Sequence, residues 1–179
     1  MANARNFEAL ILPHLDAAYN LARWLVRDDH LAEDMVQDAC LRAFRYFDAL
    51  HGDDARPWLL GIVRNNCYTW LEEQRLRPGH VALDDELLDA MPAPESGVGR
   101  NPEAAADQKR KRSLVDAAID ALAPPFREVI VLRELEELSY AEIAKVAAIP
   151  IGTVMSRLSR AREELKVALN TLKGRNGYE

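Results

Sequence analysis

Leu138-Ser139-Tyr140-Ala141-Glu142-Ile143-Ala144-Lys145-Val146-Ala147-Ala148-Ile149-Pro150-Ile151-Gly152-Thr153-Val154-Met155-Ser156-Arg157-Leu158-Ser159-Arg160-Ala161-Arg162 carries two helices separated by a tight turn. Ser139 is a good N-cap, and Glu142 three residues later completes a capping box, so a helix starts here. Ala147–Pro150 supplies the turn, because proline cannot continue a helix and restricts the residue before it. A second helix then runs from Ile151 to about Leu172. Val154, Leu158, Ala161 and Leu165 fall at helical spacing and form its core stripe. Thr153, Ser156, Arg157 and Arg160 project from the other side, near the N-terminal end. A short helix, a tight turn and a basic second helix predict a helix-turn-helix. Exposed arginines on such a helix can pair bidentately with guanine edges in the major groove. Hydroxyls beside a positive helix end suit phosphates. A solvated basic face on a helical bundle is the plainer alternative, and the capped first helix with its proline-closed turn argues against it.

Working outward, Leu114–Leu122 reads as a helix stopped by Pro124-Pro125, and Arg127–Glu136 as another. Upstream of these, Pro and Gly gather between Arg77 and Pro102 with serine and acids, the composition of a flexible connector with at most a short helix at Asp84–Ala90. Before the connector the apolar residues again recur at helical spacing, and no strand-like alternation appears. Leu31–Leu50 is the clearest helix there, with Ala32, Val36, Ala39, Cys40, Ala43, Phe47 and Leu50 on the core side and Asp34, Asp38, Arg42 and Arg45 opposite. His14–Arg27 precedes it. Arg56–Arg75 follows, with Leu59, Ile62, Val63, Asn66, Cys67 and Trp70 on one side and Gly61, Arg64, Asn65 and Tyr68 on a polar side left free for a ligand. The expected fold is all-α: helical domains at 1–76 and 108–179, joined by an acidic, flexible linker at 77–107.

Charge follows the same division. The 179-residue chain has a net charge of −6, which alone speaks against DNA. Residues 1–75 carry 8 basic against 12 acidic side chains, and 76–107 carry 2 against 7. Residues 108–179 carry 13 against 10, and within 150–175 there are 6 basic residues and 2 acidic ones. Segregation of this kind steers a charged partner to one face.

The chemistry of small-molecule sites is missing. Cys40 and Cys67 form no CxxC, His14, His30, His51 and His80 are scattered, and no phosphate-binding or nucleophile motif occurs. No metal, cofactor or catalytic residue is expected. No apolar run approaches the roughly 20 residues that span a bilayer. The N-terminus also lacks a signal-peptide layout. A cytoplasmic protein without membrane insertion is expected.

These motifs carry a resemblance. The segment from Leu138 to Arg162, with Leu122-Ala123 and Arg127-Glu128-Val129 upstream, resembles region 4 of the extracytoplasmic-function (ECF) sigma factors of RNA polymerase. Ala32-Glu33-Asp34-Met35-Val36-Gln37-Asp38 with Leu41-Arg42-Ala43-Phe44 resembles their region 2.2. Pro57-Trp58-Leu59, Ile62 and Asn65 resemble regions 2.3 and 2.4. The matches stand in the family's order and cover most of the chain outside the connector.

The resemblance implies a transcription initiation factor rather than an enzyme, binding core RNA polymerase and promoter DNA. Asp34, Gln37, Asp38 and Leu41 take the positions that dock on the coiled coil of the polymerase largest subunit, with region 4 directed to the flap. Thr153, Met155, Ser156, Arg157, Ser159, Arg160 and Arg162 take those facing the −35 element. Arg56, Gly61, Arg64, Asn65 and Tyr68 take those facing the melted −10 strand, and the Ala49–Arg56 loop would select a flipped base. An anti-sigma factor is the implied inhibitor. The chain departs from the family pattern at Thr69, where many members carry Asp, and at Met155, where Lys or Arg is common; both thin the grip on phosphate. Three other readings compete: a free-standing helix-turn-helix regulator, a protein-binding adaptor, and an enzyme using Asp34 and Asp38 as paired carboxylates. The first leaves the acidic helix idle, the second leaves Arg157–Arg162 idle, and the third lacks a cleft.

Overall fold

The computed structural model describes residues 2–50, 55–77 and 102–175, and the side chains of 6–50, 55–77 and 111–174. Every regular element among them is helical. Helix α1 spans Ala2–Ile11, a 3-10 turn holds Leu12–His14, and α2 spans Leu15–Val26. The sequence reading does not anticipate α1. Its anchor is aromatic: Phe7 meets Phe44 and Phe47 edge-on, with ring centroids 5.2 and 5.3 Å away, the geometry that ring quadrupoles favour.

Arg27 ends α2 in the left-handed region (φ 59°), its N–H bonded to the Arg23 carbonyl. Asp28 then turns extended, and its Oδ1 accepts the Leu31 N–H at 2.8 Å. That cap starts α3 at Asp29, before the expected Leu31, and the helix ends at Arg45 with a separate 3-10 turn at Phe47–Ala49. Helix α4 runs Ala55–Leu76. Residues 51–54 of the Ala49–Arg56 loop lie outside the described residues, as do the short helix expected at Asp84–Ala90 and most of the connector.

Helix α5 spans Pro102–Asp120, so it opens within the stretch read as connector and ends short of Leu122. Pro124 and Pro125 open α6, Pro124–Ile130, rather than merely closing the helix before it. Proline has no N–H to lose, and the first helical turn needs none. Helix α6 widens into a π-helical turn at Val131–Leu135, where the Glu136 N–H reaches back to the Val131 carbonyl. Glu137 is left-handed (φ 55°) and the Leu138 N–H closes on the Leu132 carbonyl at 2.9 Å, satisfying carbonyls that the helix end leaves over. Helices α7, Tyr140–Ala147, and α8, Ile151–Arg175, complete the chain.

Helices α2, α3 and α4 pack together as one block, and α6, α7 and α8 as another, with α5 along α8. The blocks also pack on each other, α4 against α7 and α2 against α6. Leu21, Leu25, Leu59, Leu60 and Val63 from the first block join Ile130, Leu132, Leu138, Ile143 and Leu158 from the second in one continuous buried cluster. Full burial of each such side chain contributes about 1.5–3 kcal/mol. Arg127, only 4% exposed, ties the junction: its guanidinium donates to the carbonyls of Ile119, Asp120 and Leu122 at the end of α5 and to that of Trp24 in α2. Burial lowers its pKa to about 10, which leaves it charged at neutral pH. Among the described residues no helix is long and apolar enough to cross a membrane.

Candidate nucleic-acid interface

The helix-turn-helix is built by local chemistry. Ser139 Oγ accepts the Glu142 N–H at 3.2 Å, and Glu142 Oε2 accepts the Ser139 N–H at 2.8 Å, so the capping box read from the sequence forms in both directions. Helix α7 ends at Ala148, which is left-handed at φ 52°. The Pro150 carbonyl then accepts from Thr153 and Val154 and launches α8.

On α8, Val154, Leu158 and Ala161 are buried. Met155, Ser156, Ser159, Arg160 and Arg162 are exposed, and Thr153 and Arg157 are half-buried. Arg160 is exposed and makes no ion pair among the described residues. Arg162 is already engaged: Nη2 donates to Glu134 Oε1 at 2.7 Å and Nε at 3.2 Å, and this pair raises its pKa. The outward side of α8 is thus open to solvent over about two turns.

The polar side of α4 is placed differently. The sequence reading leaves it free, whereas here the second block covers most of it. Arg64 Nε donates to Glu128 Oε1 of α6, and Tyr68 Oη donates to Glu128 Oε2 at 2.9 Å. The Arg64 guanidinium also lies over the Tyr68 ring, 4.3 Å from its centroid. Arg56 Nη2 donates to both the Glu136 carbonyl (2.7 Å) and its Oε2 (3.1 Å), and Asn20 Nδ2 donates to Glu136 Oε1. At Gly61 a Cβ would lie 3.8 Å from the Val146 carbonyl oxygen, so the α4 backbone comes directly against α7. Burial pushes the Tyr68 hydroxyl far above its ordinary pKa and the Glu128 carboxylate reinforces this, while the charges of Arg64 and Arg157 oppose it. Arg157 therefore belongs electrostatically to the same cluster. Of the five residues read as facing the −10 strand, only Asn65 remains exposed.

A third pair, Arg27 Nε to Asp120 Oδ1 at 3.5 Å, lies farther along the seam. Three arginines of the first block thus each meet a carboxylate of the second. Sequence reasoning missed these carboxylates. The one available signal was Glu128, a lone acid at the head of Val129-Ile130-Val131-Leu132; its side chain is fully buried. A buried carboxylate needs a donor, but nothing in the chain order names Arg64 as that donor.

On α3, Asp34, Gln37, Asp38 and Leu41 share an exposed face, with Leu41 68% exposed. Asp38 pairs with Arg42 one turn later at 3.1 Å, leaving Asp34 and Leu41 presented beside it. Asn66, by contrast, is buried and donates to the Met35 carbonyl, which locks α4 to α3. Cys67 is fully buried and its thiol is pushed up to about 12. Among the described residues no cluster of three or more His, Cys, Asp or Glu side chains could hold a metal ion.

Comparison with known proteins places these surfaces in a family. The Sigma-70 region 2 family matches residues 10–77, and the Sigma-70, region 4 family matches residues 112–165. The ECF RNA polymerase sigma factor SigE of Mycolicibacterium smegmatis is 33% identical over 161 residues, covering 90% of this chain and 60% of that relative's length. The ECF RNA polymerase sigma-E factor of Escherichia coli K12 is 37% identical over 136 residues, covering 74% of this chain and 70% of the relative. Among solved structures, the sigma factor RpoE in complex with the anti-sigma factor NepR from Bartonella quintana superposes with a TM-score of 0.71 at 26% identity, over 93% of this chain and 98% of that one. CnrH in complex with the cytosolic domain of CnrY gives 0.64 at 25% identity, over 94% and 90%. With both family regions matched in order on the two helical blocks, and with relatives aligned across the junction between them, the chain belongs to the ECF RNA polymerase sigma factors.

Proposed function

We propose that this chain binds core RNA polymerase and directs it to promoters by reading a −35 element with α8 and a melted −10 strand with α4. The observation that carries the reading is the second helix of the helix-turn-helix, whose exposed Arg160, Ser156 and Ser159 stand over a buried Val154, Leu158 and Ala161 stripe. Such a helix fits a major groove with its arginine at the base edges. Residues 1–76 act as the polymerase-docking and −10 unit, 108–179 as the −35 unit, and 77–107 as the connector. On α3 the acids at 34 and 38 with Leu41 supply an acidic face with an apolar centre, suited to a basic coiled coil of the largest subunit. Region 4 meets the flap. The chain carries out no catalysis of its own and works in the cytoplasm.

Of the similar proteins of known structure, the sigma factor RpoE is in complex with the anti-sigma factor NepR, and CnrH is in complex with the cytosolic domain of CnrY. An inhibitor of this class is the proposed regulator here.

In vitro transcription with purified core polymerase over a promoter library tests the reading, with permanganate footprinting of unpaired thymines as the second readout. Wild-type chain is expected to give discrete start sites and reactive thymines. Asn65→Ala, on the exposed flank of α4, is expected to lose thymine reactivity while keeping polymerase binding. Transcription that does not depend on the chain would overturn the assignment.

A further inference from the structure

We infer that Glu134 withholds Arg162 from DNA: its carboxylate ties that arginine to the π-helical turn, so α8 meets a duplex with one phosphate contact fewer than its sequence offers. This rests on the function proposed above and deepens it by naming a positioning residue that limits sequence-independent binding through the same helix.

Position makes Arg162 suited to a phosphate. It follows Met155 by two helical turns and Ser159 by one, so it continues the exposed row that those two begin. At 1.5 Å per residue it lies about 16 Å along α8 from Ile151. The major groove is about 12 Å wide, so a cation at that distance falls beyond the base edges, beside the strand that borders them. A free arginine there would bind every sequence alike, because phosphate contacts carry no base information.

The structure gives Arg162 another acceptor. Its Nε and Nη2 both donate to Glu134 Oε1, at 3.2 and 2.7 Å. The Tyr140 hydroxyl adds to the hold, and the Tyr140 ring is covered by the Arg133 guanidinium, 5.2 Å from its centroid. Arg133 in turn donates to the Leu138 carbonyl at 2.8 Å. Glu134 belongs to the Val131–Leu135 turn, a widened helical turn of the kind that recurs at functional sites. The link therefore joins that turn, the start of α7 and the middle of α8. Glu134 and Arg162 are each 49% exposed, and a pair so open to solvent holds its partner by up to about fivefold. Its loss is thus tolerable to the fold. Two opposite charges joined in this way present no net charge to a polyanion, so the counterion release that drives phosphate binding is forgone.

The test measures binding of the full chain to a fluorescein-labelled random-sequence duplex of about 30 base pairs by fluorescence anisotropy, from about 50 to about 200 mM salt. Glu134→Gln keeps the side-chain shape and removes the charge. The expected result is unchanged helical content by circular dichroism and about threefold tighter binding than wild type at the low-salt end. The plot of log affinity against log salt is expected to steepen by about 0.9, the value of one phosphate contact. Adding Arg162→Ala is expected to remove the gain. An unchanged slope for Glu134→Gln overturns the inference, because that carboxylate then keeps nothing from the DNA. A gain that persists in the double variant also overturns it, because loss of the acid, rather than release of the arginine, then strengthens binding. Weaker binding by Glu134→Gln overturns it too, since the pair then shapes α8 for DNA instead of holding a contact back. Arg160→Glu separates this inference from the reading beneath it by placing an acid on the exposed side of α8. Binding as tight as wild type by Arg160→Glu takes α8 away from DNA and overturns that reading. Weakened binding there, with no effect of Glu134→Gln, strikes the inference alone.

Discussion

Helices α8 and α4 carry similar polar chemistry and meet opposite environments. On α8, Arg160 projects into solvent beside exposed Ser156 and Ser159, above a stripe that is buried locally against its own block. On α4, Arg64 is only 17% exposed and ends on a carboxylate from 64 residues away. Both helices have one apolar and one polar side, so helical periodicity gives them the same description. The difference lies in what the opposite block presents: to α8, little; to α4, a row of carboxylates. A polar side at helical spacing thus marks a surface with donors to offer, and the acceptor can be a nucleic acid, a protein or the same chain.

The largest expected effect concerns a third surface that, like α8, stays uncovered. Asp34→Lys/Asp38→Lys reverses the charge of the open α3 face and is expected to abolish holoenzyme assembly in a pull-down with core polymerase, with unchanged helical content by circular dichroism. Normal core binding by that variant would place docking elsewhere and leave α8 as the sole open functional surface.

The next test sets the two arginines against each other. Arg64→Ala strands the buried Glu128 without its charge partner, a loss of the order of 3–5 kcal/mol when the acid cannot rehydrate. The continuous core predicts one cooperative urea transition for wild type, and Arg64→Ala is expected to separate it into two as the blocks part and Glu128 reaches water. Arg160→Ala is expected to leave the unfolding curve within about 0.5 kcal/mol of wild type. Its cost is about 1–3 kcal/mol in duplex binding if it reads a base edge. Loss of a phosphate contact would instead weaken all sequences alike and flatten the salt slope by about one unit. Equal unfolding curves for the two variants would erase the contrast between the helices.

The smallest effect is chemical and probes the rigidity of the α4 core beneath the seam. Burial raises the pKa of both thiols, Cys67 to about 12, and Cys67 alone is fully enclosed. Iodoacetamide at pH 8, read by mass spectrometry, is expected to modify Cys40 first and leave Cys67 intact in the folded chain. Early modification of Cys67 would show that α4 opens to solvent well beyond its polar side.

The elements written in short range were legible in the sequence. Ser139 and Glu142 announced α7, Pro150 announced α8, and Val154, Leu158 and Ala161 named the buried side of α8. The alanine-rich stripe of α3 likewise placed Asp34, Gln37, Asp38 and Leu41 on the outside. Each depends on residues within about two turns of one another, where helix geometry alone fixes which side chains are neighbours. Local signals also failed where two interpretations were open: Asp28 caps α3 but stands beside other acids, and Pro124-Pro125 could end one helix or begin the next. The closure of α4 was of another kind. Arg64 meets Glu128 and Arg56 meets Glu136 across 64 and 80 residues, and no periodicity relates positions so far apart. Helix faces follow from covalent order because the backbone repeat carries them. The partner of each face was decided by the packing of the two blocks, where a buried carboxylate must find a donor and the arginines of α4 are the ones within reach.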